Sequence, residues 1–302
     1  MRLAVLVPGG SGQLGRDLVN SAGPETEVLA PSSAELDVTA AGQVIAAVGE
    51  LAERASAAGA VPVVINAAAY TAVDAAESDE ARAFAVNVDG PRVLAAACTS
   101  RRVPLIHLST DYVFPGDGDR PYAVDDVLGP KNAYGRTKAA GEDAVLGSGA
   151  SAWVVRTSWV YGKTGANFVE TIRRLESERD QLSVVDDQVG APTWSADLAR
   201  GLWELAEAVA SGRGPAGKVL HCTGGGETSW YGFARAIFEE IGADPERVKP
   251  CTTEEFPRPA PRPAYSLLSN ASWQDAGLTP LRNWREALHA YVTSGQRATA
   301  WR

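Results

Sequence analysis

Through the first half of the chain, short unbroken apolar runs alternate with longer stretches in which apolar positions recur every three or four residues. Residues 2–7, 27–30, 61–65, 103–108 and 153–157 are runs of the first kind, rich in Val, Ile and Leu. Runs of this length, bounded by glycine, proline or polar residues, predict strands buried on both faces, as in a parallel sheet. The stretches between them predict helices. One is alanine-rich, capped by Thr39 and running to about residue 57; one covers residues 78–102 and contains Asn87; one carries Tyr134 and Lys138. This alternation predicts an α/β fold, a Rossmann-type doubly wound parallel sheet.

Beyond about residue 160 the alternation loosens. Asn167 opens a helix to residue 175, residues 182–185 read as a strand, Ser195 begins a helix, and residues 218–222 form another strand. Thr228 or Ser229 caps a helix over 230–241, and a Pro/Arg-rich segment (257–263) precedes two helices carrying Trp273 and Trp284. We expect a nucleotide-binding Rossmann domain from residues 1–157 with a return at 187–222. The remainder, 158–186 and 223–302, is expected to form a smaller C-terminal α/β lobe.

Composition narrows the function. A chain of 302 residues can bury one large core or a core with a smaller companion. The formal net charge of −9 argues against a nucleic-acid partner and does not favour an anionic membrane. A local cation or a helix N-terminus can still hold an anionic small ligand. No apolar run approaches the length of a membrane span. Cys98, Cys222 and Cys251 are far apart, odd in number and without metal-ligand spacing, which predicts reduced thiols in a cytoplasmic protein. The histidines are isolated, and no metal site is assigned.

The first predicted strand opens into a turn with Gly9, Gly12 and Gly15, followed by a helical pattern. Glycines spaced this way allow a tight turn, close approach of a pyrophosphate and close helix–strand packing. Gly9, Gly12, Gln13 and Leu14 are therefore candidate nicotinamide-cofactor contacts, although Pro8 removes one N–H donor there. After the second strand comes Pro31-Ser32-Ser33, with neither an acid for a ribose 2′-hydroxyl nor an arginine for a 2′-phosphate; Asp37 follows a few residues on. Small hydroxyl residues leave room for a phosphate, so NADPH is favoured and NADH stays open. Ala67, Ala68, Ala69 and Tyr70 follow the third strand, where small side chains suit either a ligand against backbone or tight packing.

The fourth strand runs into Ser109-Thr110-Asp111-Tyr112, so hydroxyls stand at the carboxyl edge of the sheet, where ligands bind. Tyr134 and Lys138 are four residues apart, stacked on one helix face about 6 Å apart at Cβ. An ammonium beside a phenol, whose ordinary pKa is about 10, favours the phenolate and makes it a usable proton carrier. Alone, the pair is far more often a solvated helix face. With Thr110 and the glycine turn it spells the extended short-chain dehydrogenase/reductase arrangement.

Further phrases sharpen this: Gly12-Gln13-Leu14-Gly15-Arg16, Asn66-Ala67-Ala68-Ala69-Tyr70-Thr71-Ala72-Val73-Asp74, Ser109-Thr110-Asp111-Tyr112-Val113-Phe114 and Tyr134-Gly135-Arg136-Thr137-Lys138-Ala139-Ala140-Gly141-Glu142. They continue through Arg156-Thr157-Ser158-Trp159-Val160-Tyr161-Gly162, Asp187-Gln188-Val189-Gly190-Ala191-Pro192-Thr193 and Arg262-Pro263 with Ser266 and Leu268. Over nearly its whole length the chain resembles the dTDP-4-dehydrorhamnose reductase family. The resemblance implies hydride transfer from NAD(P)H to the C4 ketone of a dTDP-linked 4-keto-6-deoxyhexose. It makes Tyr134 the proton donor and Lys138 its partner, also bound to the nicotinamide ribose, with Thr110 in the usual serine position. Asp111, Tyr112, Trp159 and Asn167 would lie beside the sugar and Arg262 near the diphosphate. Trp159 also reads as ordinary core.

Two departures stand out: Val7-Pro8-Gly9 where the family commonly reads Thr-Gly, and the missing base after the second strand. A related deoxysugar 4-ketoreductase, a sugar-nucleotide epimerase and a non-catalytic NADP-binding regulatory subunit share the fold and stay as alternatives. Some family members are described as metal-linked dimers. Asp17 lies where an acidic ligand would be needed, but one carboxylate does not make a magnesium site, and a homodimer is left open.

Overall fold

The computed structural model describes residues 1–299. Its main sheet has strands β1 (Leu3–Leu6), β2 (Thr26–Leu29), β3 (Val61–Asn66), β4 (Leu105–Thr110), β5 (Ala152–Thr157) and β6 (Val219–His221), all parallel. Their spatial order is β2-β1-β3-β4-β5-β6. The chain moves outward from β1 to β2, then crosses back to set β3 on the other side of β1. That reversal leaves a crevice beyond the carboxyl ends of β1 and β3, where doubly wound sheets bind ligands.

Eight helices are used below: α1 (Gln13–Ser21), α2 (Ala41–Ala58), α3 (Gly90–Arg101), α4 (Ala133–Leu146), α5 (Phe168–Glu178), α6 (Ser195–Ala210), α7 (Trp230–Glu240) and α8 (Trp284–Thr299). Successive strand residues point to opposite faces, so the apolar runs feed two cores. Leu3, Val5, Val63, Ile65 and Ile106 pack with Leu18 of α1 and Leu198, Leu202 and Trp203 of α6. Ala4, Leu6, Val64 and Leu105 pack with Val44, Val48 and Leu51 of α2, Leu94 and Cys98 of α3 and Val145 of α4. A third apolar cluster joins Tyr161, Val169, Ile172, Trp194, Phe233, Ile237, Leu288 and Tyr291. Beside it the strands Leu182–Val185 and Val248–Cys251 pair in parallel.

Several local expectations change. Thr39 does not cap α2: its hydroxyl donates to Asp37 Oδ1, and the helix starts after Ala40 with no side-chain cap. The helix expected over 78–102 is broken into Glu80–Phe84, a widened turn at Ala85–Asp89, and α3. Pro91 in the first turn of α3 lacks the N–H an uninterrupted helix would use. The widened turn presses the Asn87 carbonyl against α4 at Gly141, where a Cβ would lie 2.1 Å from it. The fourth strand runs on to Thr110 rather than ending at residue 108. Ser229, not Thr228, caps α7 through the Gly232 N–H.

Candidate active site

A cavity of about 790 Å³ fills the crevice, lined along one edge by the glycine turn and across its floor by the ends of β3, β4 and β5. Gly9 has φ +82°, and a Cβ there would meet Ala68 N at 2.8 Å. A Cβ at Gly15 would meet the Gly9 carbonyl at 2.4 Å. The turn is thus folded tightly against the third strand's end and the first turn of α1. Gly12 stands at the N-cap of α1 and no side chain caps that helix. Its positive end, with Gly12, Gln13 and Leu14 on the cavity wall, is the anion cradle a dinucleotide diphosphate requires. Gln13 Nε2 donates to the Ala166 carbonyl at 3.2 Å, while its Oε1 is buried without a partner.

Ala67, Ala68 and Ala69 line the cavity. Tyr70 does not. Asn87 takes both its backbone groups, accepting from the N–H at 2.8 Å and donating to the carbonyl at 3.2 Å. Its ring packs with Ala76, Ala83 and Ala133 instead. On the β2 side, Ser33, Leu36, Asp37 and Val38 form the wall. Asp37 Oδ1 accepts from both the hydroxyl and the N–H of Thr39, at 2.7 and 2.9 Å. These bonds, with a smaller contribution from the Arg82 cation, hold its carboxyl below the usual range. Arg82 also lines the cavity, reached from the short helix Glu80–Phe84.

Thr110 ends β4 with its Oγ1 donating to Asp111 Oδ1 at 2.9 Å and accepting from the Tyr112 N–H at 3.3 Å. Asp111 is buried, and its second oxygen lies near Ser266 Oγ without a formed hydrogen bond. Burial lifts this carboxyl to about 6, against the pull of the Ser266 and Thr110 hydroxyls. Asn132 caps α4 through the Gly135 N–H at 2.8 Å and fixes the turn that carries Tyr134. The Tyr134 ring meets Tyr112 edge to face, centroids 5.5 Å apart. Its phenol is pushed up to about 12 by burial, opposed by the Thr110 hydroxyl.

Lys138 is buried and donates from Nζ to the Leu108 carbonyl at 2.7 Å. Burial lowers its ammonium to about 8, and Glu142 opposes that shift. The expected lowering of the phenol by this lysine is not seen in this geometry. The ammonium is turned to the strand carbonyl, and burial governs the phenol.

Trp159 is half-buried rather than core, lines the cavity and adopts φ +47°. It stacks on Trp230, with centroids 3.6 Å apart and rings 7° from parallel. Asn167 and Arg262 are not on the cavity wall. Asn167 caps α5 and donates to the Gly162 carbonyl at 2.7 Å. Arg262 pairs with Asp74 at 2.8 Å.

Arg82, Ser109, Thr157, Ser158 and Trp230 line the cavity without having been singled out in the sequence. Ser109, Thr157 and Ser158 sit in phrases already noted at strand ends, and that position was the available signal. Trp230 starts a helix far along the chain from Trp159, and nothing local ties the two. Among the described residues, no group of three or more His, Cys, Asp or Glu is arranged to hold a metal ion.

Residues 1–297 match the family model described as the RmlD substrate binding domain. The chain is 47% identical to the dTDP-4-dehydrorhamnose reductase of Mycobacterium tuberculosis (strain ATCC 25618 / H37Rv), over 98% of this chain and 94% of the relative. It is 48% identical to the probable dTDP-4,6-dihydroxy-2-methyloxan-3-one 4-ketoreductase of Streptomyces antibioticus, over 94% of this chain and 92% of the relative. Among solved structures, the Bacillus anthracis dTDP-4-dehydrorhamnose reductase in complex with NADP superimposes with a TM-score of 0.89 at 35% identity, covering 97% of this chain and 100% of that one. The chain belongs to the dTDP-4-dehydrorhamnose reductase family.

Proposed function

We propose that this protein is an NADPH-dependent reductase of the C4 ketone of dTDP-4-dehydro-6-deoxy-L-mannose, yielding dTDP-L-rhamnose. The observation that carries the reading is one cavity running from the uncapped start of α1 to Thr110, Tyr134 and Lys138. The names of the relatives supply the substrate class.

NADPH, when bound, supplies the hydride. Gly9, Gly12, Gln13 and Leu14 would hold its diphosphate, Ala67–Ala69 and Asp37 would contact it along the cavity wall, and Lys138 with Tyr134 would hold the nicotinamide ribose. Negative charge develops on O4 as the ketone is reduced. Tyr134 gives that oxygen a proton, and Thr110 Oγ polarises it once its own proton turns from Asp111 to the ketone. A phenol raised to about 12 carries its proton throughout the neutral range, which suits a donor in the reducing direction. The Lys138 ammonium, bonded to the Leu108 carbonyl one helical turn from Tyr134, would reach the phenolate only by leaving that carbonyl. Asp111 and Tyr112 border the sugar, and Trp159 with Trp230 offers it a flat apolar wall. Off the cavity wall, Asn167 is bonded to the Gly162 carbonyl and Arg262 to Asp74.

We infer that residues 1–157 and 187–222 hold the cofactor while 158–186 and 223–302 hold the nucleotide, whose remote binding orients the sugar. No helix among the described residues is long and apolar enough to cross a membrane. We assign the protein to the cytoplasm, where its cofactor and substrate class circulate, and a homodimer is tested by its mass in solution.

The deciding experiment incubates the protein with dTDP-4-keto-6-deoxy sugars and each nicotinamide, then determines the product's C4 configuration. NADPH oxidation only with the keto-sugar, and its loss in Tyr134→Phe with cofactor binding kept, is the expected result. Turnover without added NADPH marks an epimerase, and near-normal turnover in Tyr134→Phe overturns the assignment. The relative at 48% identity, named for a different 4-keto sugar, makes a related 4-ketoreductase the second reading.

A further inference from the structure

One turn past Lys138 on α4 lies Glu142, so that Tyr134, Lys138 and Glu142 form a single stripe along the helix. Glu142 is 1% exposed and its partner Arg156 is 3% exposed. The Arg156 guanidinium grips the carboxylate with two donors, Nε at 3.0 Å and Nη2 at 2.7 Å. Ser109 Oγ donates to the same carboxylate. Ser109 and Arg156 are direct partners across β4 and β5. Arg156 Nη1 reaches the Val124 carbonyl at 3.1 Å and His221 Nε2 at 3.3 Å, and its guanidinium lies 5.0 Å from the centre of the Phe114 ring. The carboxylate thus ties the end of β4 and the side of β5 to the catalytic helix, while His221 Nδ1 beside the pair has no partner.

Stability is a weak account of such a pair. Taking two charges out of water costs about as much as their attraction returns, and apolar residues of the same volume commonly do as well. The position asks for another explanation. Building on the reductase reading, we infer that Glu142, held by Arg156, is a positioning residue for the Lys138 ammonium one turn before it on α4.

The surroundings of α4 single out this carboxylate. The buried titratable groups on the elements packed against the helix are His107 on β4, Asp111 just beyond it, Arg156 on β5 and Cys98 on α3, with the half-buried Tyr112 beside Asp111. His107 stays neutral, because burial and then the Lys138 charge push it well below its usual value. Cys98 is raised to about 12 by burial and stays a thiol. Burial also raises the Tyr112 phenol, which stays neutral. Asp111 is lifted to about 6 and is already committed to Thr110. Glu77 and Glu80 lie at the exposed side, bonded to the Ala133 N–H and to Arg136. Glu142 is the group that opposes the loss of the Lys138 proton on burial.

The test reads Lys138 directly. The chain has five lysines, Lys131, Lys138, Lys163, Lys218 and Lys249, so ¹³C-lysine NMR resolves each, with Lys138→Arg assigning the buried one. Glu142→Gln removes the carboxylate charge; Glu142→Gln combined with Arg156→Met removes both charges and keeps the volume, in case the single variant does not fold. In the folded variant the Lys138 resonance should titrate at least one pH unit lower than in the unaltered protein. The high-pH limb of kcat should move down by the same amount, with KM for the keto-sugar little changed. Glu142→Asp should restore part of both shifts. An unmoved Lys138 titration with only a lower Tm makes the pair structural and overturns the inference, as does failure of both variants to fold. A moved resonance in a protein that turns over no keto-sugar upholds the inference about the helix and sinks the reductase reading instead.

Discussion

Trp159 and Trp230 lie face to face across the cavity wall, with ring centres 3.6 Å apart. Trp159 is held there from both sides: a Cβ at Gly190 would come within 2.7 Å of its indole, and its own backbone sits at φ +47°. A bulky residue at positive φ is strained and persists only where its surroundings over-determine it. The stack is therefore a built feature of the cavity wall. Trp230→Ala should raise KM for the keto-sugar about three- to tenfold, matching the roughly 0.5–1.5 kcal/mol an aromatic pair contributes beyond its area. The kcat should change less. Loss of the exciton couplet of the stacked indoles in circular dichroism would verify that the pair has been broken. An unchanged KM with a lost couplet would remove the wall from the substrate site.

Arg82 puts a cation on the cavity wall where the second strand offers none. No base follows Leu29, yet the short helix Glu80–Phe84 carries a guanidinium to the same end of the cavity, beside Ser33 and Asp37. Among the described residues that guanidinium makes no ion pair and no side-chain hydrogen bond, so it is available to an anionic ligand. Arg82→Ala should raise KM for NADPH about tenfold, a loss of roughly 1.4 kcal/mol, and leave KM for NADH nearly unaltered. Equal changes for the two cofactors would mean that Arg82 does not read the 2′-phosphate.

The contrast between these two sites and the catalytic helix explains how much could be read in advance. Thr110, Tyr134 and Lys138 were legible because their geometry is local: a strand end and one helix stripe. The parallel strands were legible because burial on both faces demands unbroken apolar runs, except at the edge strand β2, where Glu27 is exposed and its neighbours are half-buried. Trp230 and Arg82 reach the cavity by tertiary packing, and no spacing along the chain encodes that. Tyr70, Asn167 and Arg262 stand off the cavity wall. Each stands in a phrase that borders the site, but hydrogen bonds with Asn87, Gly162 and Asp74 hold the Tyr70 main chain and the other two side chains. Thr39 was misread as a cap because a hydroxyl before a helix has a second option, and Asp37 two residues back provided it.

Gly141 is a packing requirement of the catalytic helix. Its missing side chain admits the Asn87 carbonyl, and the listener on the other side of that turn is Thr137, whose hydroxyl accepts from Asn87 Nδ2 at 3.1 Å. Gly141→Ala cannot be relieved by a rotamer change, since the clash is with backbone. It should destabilise the fold by about 2–3 kcal/mol, as overpacking in cores does, despite the better helix propensity of alanine. Urea unfolding measures this. A midpoint equal to or above that of the unaltered protein would mean the widened turn at Ala85–Asp89 relaxes freely.

Lys138 is the residue where function and stability oppose each other. Its ammonium is lowered from the ordinary lysine value of 10.5 to about 8 by burial. Between those values the unfolded chain holds the proton and the folded chain does not, so unfolding takes up a proton. Stability therefore rises with pH from about 8 to about 10.5, and below about 8 the full cost of burying the charge is present. That cost is about 3 kcal/mol at 1.36 kcal/mol per pKa unit. Lys138→Met should accordingly be more stable than the unaltered protein at pH 7, by up to about that amount, while its reductase activity collapses. The gain should shrink as the pH is raised toward 10. Denaturant unfolding at pH 7 and pH 9.5 measures both parts. A destabilised Lys138→Met at pH 7 would show that the bond from Nζ to the Leu108 carbonyl outweighs the desolvation of the ammonium.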